Sequence, residues 1–220
     1  MTSVPPDEDL LKKELAEAAR QKFDYLSCRL WAGEIDAVQR LQRNGFYLTD
    51  LGITWERETL QSDVVSIGVR EAGPTDAGSV SEMASDLFID ARFYHDPFFS
   101  RAEANNLYQT WTENLLRGSA DKVFFVANKG FIACKVSGSV GEIVLVGVAP
   151  AYQGQGVGTT LVQAAIGWMR SAGAGLVTVR TQAGNTNANR FYGKQGFRMK
   201  TADVTMAKVF SSGCHKQEAG

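Results

Sequence analysis

Apolar positions change their spacing along this chain, and the changes mark out its elements. Over residues 6–22, Leu10, Leu11, Leu15 and Ala18 recur at helical spacing behind acidic residues that suit a helix N-terminus. Residues 25–30 read as a short strand, 34–43 as a helix stopped by Asn44-Gly45, and 46–57 as extended. A polar joint at 59–63 follows. Residues 64–71 are then extended, 73–88 helical after Gly73-Pro74-Thr75-Asp76, and 91–101 form an aromatic-rich loop. Residues 102–117 place Leu107, Trp111 and Leu115 on one helical face, with Gly118 as the stop. Three strands come next, at 122–127, 131–137 and 142–148, joined by hairpin-like turns. The period returns to helical at 155–172, then gives a strand at 176–181, a short helix at 186–194, and two strands at 197–200 and 204–210. This order predicts an α/β protein. Residues 1–63 form a small N-terminal α/β domain, 64–210 the main domain, and 211–220 a disordered tail.

Charge narrows the partners. Lys and Arg number 23 against 24 Asp and Glu, with no block of one sign, so neither nucleic acid nor an acidic membrane surface is expected. Cys28, Cys134 and Cys214 lie far apart without a CxxC pair. With only His95 and His215 beside them, no metal site is expected. The N-terminus lacks the cationic start and apolar core of a signal peptide, and no run approaches a membrane span. The expected location is the cytoplasm.

One stretch carries candidate chemistry. Gln153-Gly154-Gln155-Gly156-Val157-Gly158-Thr159 packs three glycines ahead of a helix, a place where backbone N–H groups can close around phosphate. A nucleoside-triphosphate loop needs a Lys-Ser/Thr pair after its glycines, and none is present. A dinucleotide fingerprint needs a third glycine where Thr159 stands, and it should open the first strand–helix unit rather than follow three hairpin strands.

Val148 and Pro150 with Gln153, Gly156 and Gly158 resemble the acetyl-CoA loop of the GNAT acyltransferase superfamily. Downstream, Asn185, Ala188, Phe191, Tyr192, Lys194, Gly196 and Phe197 are similar to the last block of the same superfamily. The resemblance implies the GNAT fold, an α+β mixed sheet, over 64–210 and acetyl-CoA as co-substrate, inserted where the strands 142–148 and 176–181 splay apart. It implies backbone pairing of Val146 and Val148 with the pantetheine arm, pyrophosphate on residues 153–159, and Asn185 and Ala188 beside the arm. Tyr192 is then the general acid that protonates the leaving thiolate. Glu142 resembles the glutamate base of some members, and His95 and Asp96 remain alternatives.

Residues 30–210 also look like the TDP-fucosamine (4-amino-4,6-dideoxygalactose) acetyltransferase family, which carries a small N-terminal α/β domain. The match runs through Arg92, Phe93, Phe98, Tyr108, Trp111, Glu113, Asn114, Arg117 and Gly118. It implies a nucleotide-linked amino sugar as acceptor, with Arg92, Phe93, Tyr94 and His95 as candidate substrate contacts, and a homodimer is compatible with it. Two other readings stay open. One is a GNAT enzyme for a peptide, protein or small amine, although the aromatic loop offers only Asp90 and Asp96 to a polyamine. The other is an acyl-CoA-binding module without turnover.

Overall fold

The computed structural model describes residues 7–63, 68–88 and 91–210. Pro6, residues 64–67 of the extended run at 64–71, Asp90, and the expected tail with Cys214 and His215 lie outside them. The helices are α1 (Glu8–Arg20), α2 (Ile35–Arg43), α3 (Ala77–Leu87), α4 (Arg92–His95), α5 (Arg101–Asn114), α6 (Val157–Ser171) and α7 (Thr186–Lys194). The strands are β1 (Tyr25–Trp31), β2 (Tyr47–Glu58), β3 (Arg70–Glu71), β4 (Lys122–Val126), β5 (Gly130–Ser137), β6 (Val140–Val148), β7 (Leu176–Gln182) and β8 (Arg198–Val209). They form one mixed sheet in the order β1-β8-β2-β7-β6-β5-β4-β3. The β6/β7 pair is parallel and the other pairs are antiparallel.

Two layers of helix cover the strands, and the sequence shows why. In β4 the run Val123-Phe124-Phe125 is buried on both faces, so successive residues serve different cores. Phe124 joins Ile132, Ile143, Val177 and the α6 residues Leu161, Val162 and Ile166 on one face. Val123 and Phe125 join Phe131, Leu145, Val80 and Leu115 on the other, under α3 and the end of α5. A third cluster packs Leu11, Leu15 and Leu41 of α1 and α2 with Val204 and Met206 of β8. Helix α6 lies so close to β6 that a Cβ at Gly141 would stand 2.5 Å from the Met169 sulfur.

Three expectations differ from the structure. The block ending at residue 63 contributes β1 and β2 to the common sheet, and β2 lies between β7 and β8. The two strands expected at 197–200 and 204–210 are one strand, β8. Its first residues point to solvent and read as a break, yet Arg198, Met199, Thr201 and Ala202 pair with β2, with Lys200 the extra residue at a bulge. The aromatic loop contains a helical turn, α4, pinned on both sides: Tyr94 donates to Asn105 at 2.7 Å, and Asp96 accepts from Tyr25 and Tyr47.

Candidate active site

Strands β6 and β7 run side by side only from Val140/Leu176 to Ile143/Val179. Beyond that, β7 stays paired with β2 through Gln182, while β6 stays paired with β5 through Val148. A bulge begins the parting. Ala133 faces Leu145 and Cys134 faces Ile143, which leaves Val144 as the extra residue on β6. The result is a cleft of about 850 Å³ between two strand ends, walled by Val144–Val148 on one side and Val179–Gln182 on the other. Strand ends that have lost a neighbour present backbone donors and acceptors to an extended ligand. Phe88, Tyr108 and Trp111 add an aromatic flank.

At the end of β6 the chain turns into α6. Gly154 and Gly156 have φ of +73° and +84°, left-handed conformations that favour glycine. Gly156 is the N-cap of α6, and no side chain caps the helix there, so the N–H groups of its first turn lack an internal partner. Gly158 differs: a Cβ there would make ordinary contacts of 3.5 Å with Phe191 and 3.6 Å with Val148. Gln153 donates to the Val148 carbonyl at 3.1 Å and closes the turn. Gly154, Gly156, Gly158 and Thr159 line the cleft with Gln153, and Thr159 is held by Gln195 at 3.1 Å. Gln155 instead donates back to Ala151 at 2.8 Å, and Val157 packs against the core; neither lines the cleft.

Helix α7 forms the opposite side. Asn185 caps it, accepting from the Ala188 N–H at 3.0 Å, and also lines the cleft, so its capping role and its place at the site coexist. Asn189 donates to the carbonyls of Gln182, Ala183 and Asn185, and accepts from the Trp55 indole at 2.9 Å, which ties α7 to β2. Tyr192 is 3 % exposed and packed between Phe191 and Phe197. Its hydroxyl has no hydrogen-bond partner among the described residues, and burial pushes its pKa well above the ordinary phenol value. At neutral pH it is therefore a donor. Among the described residues, this arrangement fits an acyl-CoA: a strand edge for the amides of the arm, an uncapped helix end for the pyrophosphate, and a phenol at the cleft.

A second hollow, about 610 Å³, adjoins the first and shares Gln182, Asn185 and Asn187 with it. Its walls include Thr49, Asp50 and His95. Asp50 is buried and spent: one carboxylate oxygen accepts from Arg180 at 2.8 Å and the other from Gln182 at 3.1 Å. Arg180 also grips Asp203 at 2.6 Å and 2.9 Å. Burial pulls the Arg180 pKa down, but its bonds to Asp203 and Asp50 outweigh that and hold it above the usual value. This network was not visible from the sequence. The available signal was a charge inside an otherwise β-branched run, Val177-Thr178-Val179-Arg180-Thr181, with no indication of its partners.

Several expected site residues stand elsewhere. Glu142 is exposed on β6, paired with Lys135 and Thr178 before the strands part, and lines neither hollow. Arg92, Phe93 and Tyr94 also line neither. The Arg92 guanidinium lies 4.2 Å from the Phe93 ring centre, and Phe93 and Tyr94 pack on Tyr108. Asp96 is 4 % exposed and engaged by two tyrosine hydroxyls, so it is an anchor and not a free base. Of the five candidates from Arg92 to Asp96, only His95 reaches a hollow.

A mixed sheet that opens at a bulged strand, with a glycine-started helix at the opening, defines an acyltransferase architecture. The chain belongs to the acetyltransferase (GNAT) family, whose family model matches residues 86–197 and whose members use acetyl-CoA as acetyl donor. It is 30% identical over 135 residues to the spore coat polysaccharide biosynthesis protein SpsD of Bacillus subtilis, a match covering 60% of this chain and 46% of that one. It is 27% identical over 176 residues to the dTDP-fucosamine acetyltransferase of Escherichia coli O6:H1, covering 77% of this chain and 73% of the other. A conserved protein of unknown function from Staphylococcus epidermidis has the same fold, with a TM-score of 0.64 at 16% identity over 94% of this chain and 82% of that one.

Proposed function

We propose that this protein transfers the acetyl group of acetyl-CoA to the amine of a nucleotide-linked amino-deoxy sugar, by direct attack of the amine on the thioester. The observation that carries the reading is the cleft between β6 and β7, with the uncapped end of α6 on one side and the unpartnered hydroxyl of Tyr192 on the other. In this reading Gln153, Gly154, Gly156, Gly158 and Thr159 hold the pyrophosphate, Val146 and Val148 offer backbone partners to the pantetheine arm, and Asn185 and Ala188 flank it. Attack forms the C–N bond and breaks the C–S bond. The electron pair leaves with sulfur, and Tyr192 supplies the proton that makes the thiol. Burial keeps that proton on the phenol until it is needed.

The sugar rests on two supports. The polysaccharide and dTDP-fucosamine relatives act in sugar chemistry by their names. The second hollow is lined by hydroxyl and amide groups, Thr49, Gln182, Thr186 and Asn187, which suit a polyhydroxylated acceptor. Thiol release from acetyl-CoA across a panel of amines, including dTDP- and UDP-linked amino sugars, tests the acceptor; turnover with peptides or polyamines in preference to all sugars would refute it. Tyr192→Phe keeps the ring packing and removes the donor. It should lower kcat by about 10²-fold or more while the Kd for acetyl-CoA holds. Unchanged turnover would remove Tyr192 from the role.

A further inference from the structure

We propose that His95 is the general base that deprotonates the acceptor ammonium, and that the Asp96–Tyr25–Tyr47 lock is what positions it. The inference rests on the acetyl-transfer reading above and assigns the step that reading leaves open. Between them the two adjoining hollows are lined by six residues that can gain or lose a proton: Asp50, His95, Tyr108, Tyr152, Arg180 and Tyr192. Asp50 has both oxygens committed, to Arg180 and Gln182, and Arg180 is committed to Asp50 and Asp203. The tyrosines are phenols, and burial raises Tyr108 and Tyr192 further. His95 alone is an imidazole, with a ring nitrogen able to accept a proton, and it is exposed with no hydrogen bond among the described residues.

Position supports the assignment. His95 ends α4, and the next residue, Asp96, accepts from Tyr25 of β1 at 2.6 Å and Tyr47 of β2 at 2.7 Å, and from the Phe98 N–H at 3.1 Å. A four-residue turn would otherwise be a poor platform; two tyrosines on neighbouring parts of the sheet make it a fixed one. The hollow that His95 lines shares Gln182, Asn185 and Asn187 with the cleft, which puts the imidazole in a space adjoining it. Asp50 of β2 lines the same hollow as His95 and is already paired with Arg180 of β7, and Arg92 and Asp96 stand on the turn that carries His95. In the step itself the ammonium N–H bond breaks, its electron pair stays on the amine nitrogen, and the proton passes to an imidazole nitrogen. Exposure then lets His95 return that proton to water.

The test uses the full chain and the best acceptor of the amine panel. His95→Gln should lower kcat by about 10²-fold and leave the Kd for acetyl-CoA unchanged. It should also remove the acidic limb of the kcat/KM profile, moving the remaining pH dependence up to that of the free amine. Tyr47→Phe should lower kcat less and keep the limb. A His95→Gln enzyme within threefold of wild type, or one that keeps the wild-type acidic limb, overturns the assignment while the acetyl-transfer reading stands. A wild-type chain that releases no thiol with any amine overturns both.

Discussion

The two sides of the cleft are built on different principles. The turn from β6 into α6 is local: Gln153 reaches back five residues to Val148, and the glycines act through their own backbone. The Arg180 network is assembled from afar, since its partners Asp50 and Asp203 stand 130 and 23 residues away. A local device survives rearrangement of the rest of the chain and is easily read. A distant one exists only when β2 has been inserted between β7 and β8. The amino-terminal strands are therefore part of the site's wall, and through Trp55 and Asn189 they also hold the helix that carries Tyr192.

The sharpest way to break that contrast is to remove Arg180. Its loss leaves Asp50, with 3 % of its side chain exposed, to the Gln182 amide, and Asp203, with 13 % exposed, to Arg29 at 3.5 Å. Breaking one partner of a buried pair costs about 3–5 kcal/mol, and the partial exposure of Arg180 itself places this case near 3 kcal/mol. Arg180→Met in urea denaturation should show that loss, and adding Asp50→Asn should return part of it. A loss below about 1 kcal/mol would mean water replaces the guanidinium and the distant device is as forgiving as the local one.

The local device calls for a backbone test. Gly156→Val forces a branched residue to φ +84°, and Gly173→Val does the same at φ +95° at the far end of α6. Each should cost about 1–3 kcal/mol of stability. Only the first should also weaken acetyl-CoA, by about tenfold in calorimetry, because only that end faces the cleft. Equal affinity in the two variants would make the glycines a matter of folding alone.

The same distinction explains what could be read beforehand. The glycine turn, the Asn185 cap and Tyr192 each sit in short stretches whose spacing carries their meaning, and the splay of β6 from β7 followed from the resemblance those stretches bear. Glu142 stands before the cleft because strand position says nothing about where two strands part; the bulge at Val144 falls just beyond it. Asp96 looked like a candidate base because its partners Tyr25 and Tyr47 are 71 and 49 residues distant. Arg92, Phe93 and Tyr94 look like contacts for a ligand, yet they pack on one another, on Phe99 and on Tyr108, and Tyr94 donates to Asn105. Pairings across the sheet decide which charges are free, and no local pattern reports them.

An exposed Arg–Asp pair offers the smallest and last comparison. Arg70 on β3 donates to Asp76 at 2.6 Å and 2.9 Å, six residues on, just before α3. The Arg70 guanidinium, helped by the Gly73 N–H, lowers the Asp76 pKa from 3.8 to about 2. A carboxylate held low in the folded state stabilises it fully above the unfolded pKa, and that contribution fades as pH falls from about 4 through about 2. Thermal midpoints of wild type and Asp76→Asn should therefore differ slightly at pH 5 to 7 and converge by pH 2. Salt should narrow the gap further, as it does for solvent-exposed charges and much less for a buried pair such as Arg180–Asp50. A gap that stays constant from pH 5 to pH 2 would show that hydrogen-bond geometry, and not the charge of Asp76, holds β3 against α3.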